Sequence, residues 1–185
     1  MSHDVEHASS RRRRFGRRAL VSMLATASLA TLVNAGAASA YTSENSVVNR
    51  YNGMCLDVAY ASLDPGAQVV QASCWGGLNQ RWTVEYYDTD WWTGRQYYRL
   101  VAAHSGQCLD VDGGSQYDGA RISQWHCYWG SNQQFELINT GHADTYRLKA
   151  RHSGKCVAAE ASFRHAAAVT QRTCSSSSTQ QWTLR

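Results

Sequence analysis

The chain has 185 residues, with 18 Lys and Arg, 14 Asp and Glu, six Cys and a formal net charge of +4. Residues 1–40 carry all of the excess positive charge, because residues 41–185 hold twelve basic and twelve acidic side chains. A protein that binds nucleic acid by neutralising phosphates needs surplus Lys and Arg in its folded part, so the neutral body excludes that class of partner. A body of this length suits one domain with a sizeable core.

Residues 1–40 are predicted to be an export signal peptide. Six arginines between positions 11 and 18 precede an apolar run at 19–33 that is short for a membrane span, and Ala38-Ser39-Ala40 forms a cleavage site. We expect cleavage after Ala40 and a secreted, extracellular protein without a membrane span. The order Arg12-Arg13-Arg14-Phe15 resembles a twin-arginine signal; the general secretory route and an uncleaved anchor are the alternatives.

The rest of the chain, 41–185, is predicted to be one domain of three similar segments, at about 44–96, 97–144 and 145–185. Each segment holds two Cys, and six residues after the second Cys a Gln-x-aromatic triplet begins, at Gln80, Gln133 and Gln180. Corresponding positions lie 53 residues apart in the first two segments and 47 or 48 apart in the last two. Agreement over so many markers indicates three copies of one structural unit.

Short β-strands are the predicted content of each unit. Residues 68–71, 98–102, 121–125 and 146–150 are rich in β-forming residues, and Gly-containing turns accompany them. No stretch of residues 41–185 shows a convincing helical period. The pattern therefore predicts an all-β fold with about four strands in each repeat.

The first repeat is five residues longer than the others, and the addition lies between Trp82 and Cys108. Residues 86–95 within this interval predict a lengthened hairpin. Adjacent strand residues point to opposite faces of a sheet, so we expect one of Trp91 and Trp92 to be buried and the other exposed.

Six cysteines allow many pairings, and the repeat narrows them because each unit holds one pair. The symmetric solution is one disulfide per repeat: Cys55–Cys74, Cys108–Cys127 and Cys156–Cys174. An exported protein reaches an oxidising compartment in which such bonds persist. Zinc coordination is the alternative, but the sequence has no Cys-x-x-Cys pair, and we expect neither a metal nor a cofactor.

The three Cys-Leu-Asp-like openings and Gln-x-aromatic closings resemble the ricin B-type lectins and the related family-13 carbohydrate-binding modules, from about residue 47 to 185. The resemblance implies a β-trefoil of twelve strands with pseudo-threefold symmetry. It also implies that Trp82, Phe135 and Trp182 are core residues that do not touch a ligand.

The resemblance further implies where sugars bind. In this family a carboxylate follows the first Cys by two residues, an aromatic residue precedes the second Cys by two, and an Asn and a Gln begin the Gln-x-Trp motif. The second repeat matches at all four positions and is the main predicted carbohydrate site: Asp110, Trp125, Asn132 and Gln133. Asp112 and His126 are weaker candidates beside it. The alternative is structural, with Asp110 capping a turn, Gln133 bracing the backbone and Trp125 buried.

The other two repeats match less well. The first is a weaker predicted site with Asp57, Asn79 and Gln80, but Ala72 occupies the aromatic position, and nearby Trp75 is a candidate substitute. The third keeps only Gln180 and is predicted to be structural. Its other three positions hold Ala158, Arg172 and Thr179.

No hydrolase or phosphate-loop motif is present, and His104 and His152 occupy equivalent His-Ser-Gly turns, which favours a structural role over catalysis. We therefore predict a monomeric carbohydrate-binding lectin without enzymatic activity, with galactose- or xylose-type glycans or polysaccharide as its partner. The alternatives are a secreted β-trefoil that binds proteins or inhibits proteases without binding sugar, and a degenerate lectin that needs a partner.

Overall fold

The computed structural model describes residues 43–185, so the predicted signal peptide and its cleavage site lie outside the described residues. The described strands are β1 (Glu44–Asn49), β2 (Cys55–Val58), β3 (Val69–Ala72), β4 (Arg81–Thr89), β5 (Gln96–Ala102), β6 (Cys108–Val111), β7 (Ile122–Trp125), β8 (Phe135–Asn139), β9 (Thr145–Ala150), β10 (Cys156–Ala159), β11 (Ala167–Arg172) and β12 (Trp182–Leu184). Short 3-10 turns lie between them: Ala59–Ala61, Leu78–Gln80, Asp112–Gly114, Ser131–Gln133 and Ser178–Gln180. The all-β prediction is confirmed for this part of the chain.

Six strands close into an antiparallel barrel. The pairing runs β1–β12–β9–β8–β5–β4, and β4 pairs back with β1. Successive side chains of strand β5 point alternately into and out of the barrel: Leu100 and Ala102 are fully buried, whereas Arg99 and Val101 are only partly buried. Closure leaves the barrel without an open strand edge.

Three hairpins, β2–β3, β6–β7 and β10–β11, accompany the barrel. The four residues of β2 are all buried, as are those of β6 and β10. Asp57 and Asp110 are the third residues of β2 and β6, opposite Val70 and Ser123 on the partner strands. The hairpins therefore present these two carboxylates at equivalent places.

Side chains between neighbouring repeats hold the loops that connect the hairpin strands. The Nε2 atom of His104 lies 3.0 Å from the Ser62 carbonyl, and that of His152 lies 2.9 Å from the Ser115 carbonyl. Gln124 Nε2 donates to the same Ser62 carbonyl at 2.8 Å. Both histidines thus have the structural role that their equivalent positions predict.

The core contains one large aromatic residue from each predicted repeat. Trp82, Phe135 and Trp182 are completely buried in a single hydrophobic cluster. The indole N–H groups of the two tryptophans donate to the carbonyls of Leu56 and Val157, both at 3.0 Å. The prediction that these residues serve packing is confirmed.

All six cysteines form disulfides within repeats, as predicted. The bonds are Cys55–Cys74, Cys108–Cys127 and Cys156–Cys174, with Cα–Cα distances of 5.1, 5.1 and 5.0 Å. The zinc alternative is wrong because no cysteine remains free.

The lengthened hairpin is confirmed, but the prediction for its tryptophans is wrong. Strands β4 and β5 pair from Trp82↔Ala102 to Thr89↔Gln96. Trp91 and Trp92 follow the end of β4 and are 87% and 80% exposed. The Asp90 carboxylate accepts the backbone N–H of Trp92 at 3.0 Å, which creates a turn in which strand alternation does not apply.

Candidate functional site

The second repeat holds a buried carboxylate next to two amide side chains. Asp110 Oδ2 accepts hydrogen bonds from Asn132 Nδ2 at 2.9 Å and from Gln133 Nε2 at 2.8 Å. Both donors belong to the turn Ser131–Gln133. Asn132 Nδ2 also donates to the Val111 carbonyl at 3.2 Å, which fixes the amide against β6. We call Asp110, Asn132 and Gln133 the second carboxylate clamp.

The clamp leaves part of the carboxylate free for another donor. Both clamp bonds end on Oδ2, so Oδ1 remains for a hydroxyl group from outside. Burial raises the pKa of Asp110 to about 6, the hydrogen bonds from Gln133 and Asn132 oppose this rise, and the charge of Asp112 adds to it. At neutral pH the group is therefore an ionised acceptor with little water around it.

A surface depression of about 230 Å³ adjoins the second clamp, lined by Asp110, Asp112, Gly113, Trp125 and Tyr128. Trp125 is 44% exposed, so it is not a core residue. Asp112 forms an ion pair with Arg121 at 2.8 Å. An aromatic surface and an acceptor oxygen thus meet in one depression, as a pyranose ring with its hydroxyls requires.

Tyr128 also lines the second depression, although the sequence did not predict it as a site residue. Its hydroxyl donates to Asn132 Oδ1 at 2.8 Å. Its ring lies against Gly130, so a Cβ added there would displace the ring or the Asn132 amide. Tyr128 directly follows the second Cys of its repeat, as Trp75 does in the first. This equivalence is the signal that could have found it.

The first repeat forms an equivalent carboxylate clamp from Asp57, Asn79 and Gln80. Asn79 Nδ2 donates to Asp57 Oδ1 at 3.1 Å, and Gln80 Nε2 donates to Oδ2 at 2.7 Å. Burial raises the pKa of Asp57, while the bonds from Gln80 and Asn79 and the charge of His165 oppose the rise. We call these three residues the first carboxylate clamp.

The depression beside the first clamp is larger, about 430 Å³. Ala72 is buried in its lining and offers no aromatic platform, but Trp75 lines the same depression and is 66% exposed. The Trp75 ring lies against Gly77, so a Cβ added there would displace the ring. The remaining lining residues are Asp57, Ala59, Tyr60, Ala61, Val70, Asn79, His165 and Ala166.

The third repeat has no carboxylate clamp among the described residues, because Ala158 stands where the other repeats have Asp. Gln180 nevertheless keeps its backbone contacts: its Oε1 accepts from Ser175 N–H at 2.7 Å and its Nε2 donates to the Thr173 carbonyl at 3.0 Å. Arg172 lines a different depression beside Glu160.

The clamp glutamines have two roles. Gln133 also accepts from Tyr128 N–H at 3.0 Å and donates to the His126 carbonyl at 3.0 Å. Gln80 makes the corresponding contacts with Trp75 N–H and the Ser73 carbonyl. Gln80 and Gln133 therefore both brace the backbone and hold the carboxylate of their repeat.

Not every predicted site residue lines a depression. Asn132, Gln133 and Gln80 lie behind the carboxylates and position them, whereas Asn79 is part of the first lining. His126 does not line the second depression, although its ring lies edge to face against that of Trp125, with 6.2 Å between the ring centroids.

A family model described as a ricin-type beta-trefoil lectin domain-like domain matches residues 36–125, 89–165 and 131–185. The chain belongs to this ricin-type lectin-like family. The β-trefoil resemblance noted in the sequence is thereby confirmed, and the closed barrel with its hairpins agrees with that fold.

Solved structures agree with the ricin-type assignment. The designed threefold-symmetric protein ThreeFoil is 43% identical, with a TM-score of 0.68 over 76% of this chain and 96% of that one. The exo-β-1,3-galactanase 1,3Gal43A from Clostridium thermocellum is 29% identical, with a TM-score of 0.71 over 77% of this chain and 30% of that one. A ricin B-like lectin from Macrolepiota procera, solved with lactose, is 17% identical with a TM-score of 0.60, over 77% and 94% of the two chains, and shows the shared fold.

Residues 43–185 contain no group of three or more His, Cys, Asp or Glu side chains placed to hold a metal ion. Within the same range, no helix has the length and apolar character needed to cross a membrane.

Proposed function

We propose that this chain is a secreted carbohydrate-binding lectin without enzymatic activity, and that it binds sugar in the two depressions beside its carboxylate clamps. The observation that carries the proposal is the recurrence of the clamp. Asp57 and Asp110 are both buried, both held by an Asn and a Gln, and both placed beside exposed aromatic rings. A purely structural network would not need an open depression with aromatic walls at each carboxylate.

The chemistry of the depressions suits neutral sugars. Aromatic faces pack against the C–H surface of a pyranose ring, and an ionised carboxylate makes the stronger, charge-assisted bonds to sugar hydroxyls. Trp125 supplies the aromatic face in the second site, and Trp75 supplies it in the first. One shallow site of this kind corresponds to about −4 to −6 kcal/mol of binding free energy, a millimolar to high micromolar dissociation constant.

Galactose-containing glycans are the proposed ligands. The structural relatives include a lectin solved with lactose, another bound to Neu5Acα2-6Galβ1-4GlcNAc, and an exo-β-1,3-galactanase. Xylose-containing polymers are the second class to test. A protein-binding or protease-inhibiting role uses an exposed loop and gives no reason for either clamp. Export, cleavage after Ala40 and the monomeric state remain predictions.

A glycan array with four proteins tests the proposal: the wild type, Trp125→Ala, Asp57→Asn and Trp91→Ala. We expect the wild type to bind galactose-containing glycans, and both site variants to give weaker signals. Trp91→Ala is the matched control, because it removes an exposed tryptophan from the hairpin turn and should bind like the wild type. An array on which the wild type binds no glycan, or on which Trp125→Ala and Asp57→Asn both equal the wild type, would contradict the proposal.

A further inference from the structure

Backbone strain is concentrated around the first depression. Among residues 43–185, four non-glycine residues have a left-handed backbone: Tyr60 with φ 58°, Ala61 with φ 49°, Asp144 with φ 48° and Ala166 with φ 59°. Three of the four, Tyr60, Ala61 and Ala166, line the first depression. A left-handed conformation is costly for residues with a Cβ and persists where the surrounding structure imposes it, often at functional sites.

The second repeat uses glycine at the same places. Tyr60 and Ala61 follow Asp57 by three and four residues, and Gly113 and Gly114 follow Asp110 by the same intervals, with φ of 60° and 61°. The turn itself therefore requires a left-handed backbone, and glycine meets that requirement without strain.

Neither burial nor hydrogen bonding of Tyr60 offsets the cost of its left-handed backbone. Tyr60 is 100% exposed, so its ring gains no burial, and no hydrogen bond from its hydroxyl is formed within residues 43–185. A large aromatic ring is thus held in solvent, at the edge of a depression, in a conformation that favours glycine.

We infer that Tyr60 is a second sugar-stacking residue of the first-repeat site and adds, beside Trp75, aromatic surface that Ala72 does not provide. The inference rests on the proposed function. Tyr60 and Trp75 belong to the first repeat, whereas His165 and Ala166 come from the loop between β10 and β11, so two repeats build the walls. The second site has Gly113 in the place of Tyr60, so it has no side chain at the corresponding position.

Tyr60→Gly tests the inference in an Asp110→Asn background, in which only the first site keeps its carboxylate. Lactose affinity, measured by NMR titration of resonances around the first depression, should fall about fivefold, which is about 1 kcal/mol of lost stacking. The midpoint of thermal unfolding should not fall, because glycine accepts the left-handed backbone. Tyr60→Phe should retain the affinity, and Tyr117→Ala, at another exposed tyrosine, should change nothing.

The reciprocal change tests the same idea in the second site. An added Cβ at Gly113 would have no neighbour within 4 Å, so the space for a side chain exists. Gly113→Tyr in an Asp57→Asn background should tighten lactose binding at the second depression.

The possible results distinguish a failure of the role inferred for Tyr60 from a failure of the proposed lectin function. If Tyr60→Gly binds as tightly as its parent while Asp57→Asn abolishes first-site binding, Tyr60 is not a ligand contact and the lectin function stands. If the Asp110→Asn parent binds no sugar at the first depression, the inference fails with that site. If the wild type also binds none, the proposed function fails as well.

Discussion

At the scale of single residues, Asp110 combines burial with an incomplete set of hydrogen bonds. The amides of Asn132 and Gln133 satisfy Oδ2 but do not fully offset the loss of water, so the pKa of the carboxyl rises to about 6. The fold thus keeps a carboxylate whose charge is unfavourable for folding. A ligand with hydroxyl donors would use the part of that group that the clamp leaves free.

Asp110→Asn should therefore separate stability from binding. The asparagine Oδ1 can accept both clamp bonds, and the buried charge is gone, so the free energy of unfolding at pH 7 should rise by about 1 kcal/mol. Sugar binding at the second depression should be lost, because an amide N–H₂ group cannot accept a hydroxyl proton. Chemical denaturation and NMR titration measure the two effects. A variant that is both less stable and still binds sugar there would show that Asp110 is structural.

The raised pKa of Asp110 also sets a pH dependence. Sugar affinity at the second depression should fall as the pH is lowered through about 6, because the protonated carboxyl loses its charge-assisted bonds. Stability should change in the opposite sense, since a carboxyl with a raised folded-state pKa stabilises the fold when protonated. Relative to Asp110→Asn, the wild type should lose stability as the pH rises from about 4 to about 6. Titrations between pH 4.5 and 8 at about half-unit steps check both trends, and an affinity that is flat over this range would refute the role of the carboxylate.

At the scale of elements, each hairpin is tied by its own disulfide to the loop that follows it. Cys156 on β10 is joined to Cys174, which lies between β11 and the turn Ser178–Gln180. The same connection holds Trp75 and Tyr128, which directly follow Cys74 and Cys127, beside their clamps. The disulfide therefore contributes to stability in every repeat and to site geometry in the first two.

Removal of the third disulfide should cost stability without affecting sugar binding. Cys156→Ala with Cys174→Ala opens a loop of 18 residues, and the chain-entropy model assigns such a loop about 3 kcal/mol. For a domain of this size that corresponds to a decrease of about 10 °C in the unfolding midpoint. Calorimetry measures the decrease, and lactose titration should show unchanged second-site affinity. An unchanged midpoint would mean that this disulfide does not stabilise the fold.

The repeat was sufficient to predict the elements, because disulfide partners, core aromatics and clamp residues recur at matched spacing. Trp91 and Trp92 were mispredicted because the Asp90 turn, which is absent from the other repeats, ends strand alternation. Gly113 and Gly114 at the equivalent positions of the second repeat indicate a left-handed turn at Tyr60, but only the structure shows its exposed ring beside the depression. The hydrogen bond from Tyr128 to Asn132 requires the tyrosine ring to pass close to Gly130, and the spacing of residues in the sequence does not reveal that approach.

At the scale of the whole molecule, one trefoil carries two clamps and one repeat without a clamp. The third repeat retains its disulfide and its Gln180 brace, so the fold persists where Ala158 has replaced the carboxylate. Residues 41–185 have no net charge, so binding should depend on stacking and hydroxyl hydrogen bonds more than on attraction between charges. The two proposed sugar sites on one domain would favour ligands with repeated terminal sugars, for which bivalent attachment raises avidity.

The number of lactose molecules bound by each chain decides whether both carboxylate clamps bind sugar. NMR titration with lactose should show two sites in the wild type, one in Asp57→Asn, one in Asp110→Asn and none in the double variant. The chemical-shift changes should map to the first and second depressions separately. A double variant that still binds lactose, or a wild type whose binding maps to the third repeat, would contradict the claim that the carboxylate clamps carry sugar recognition.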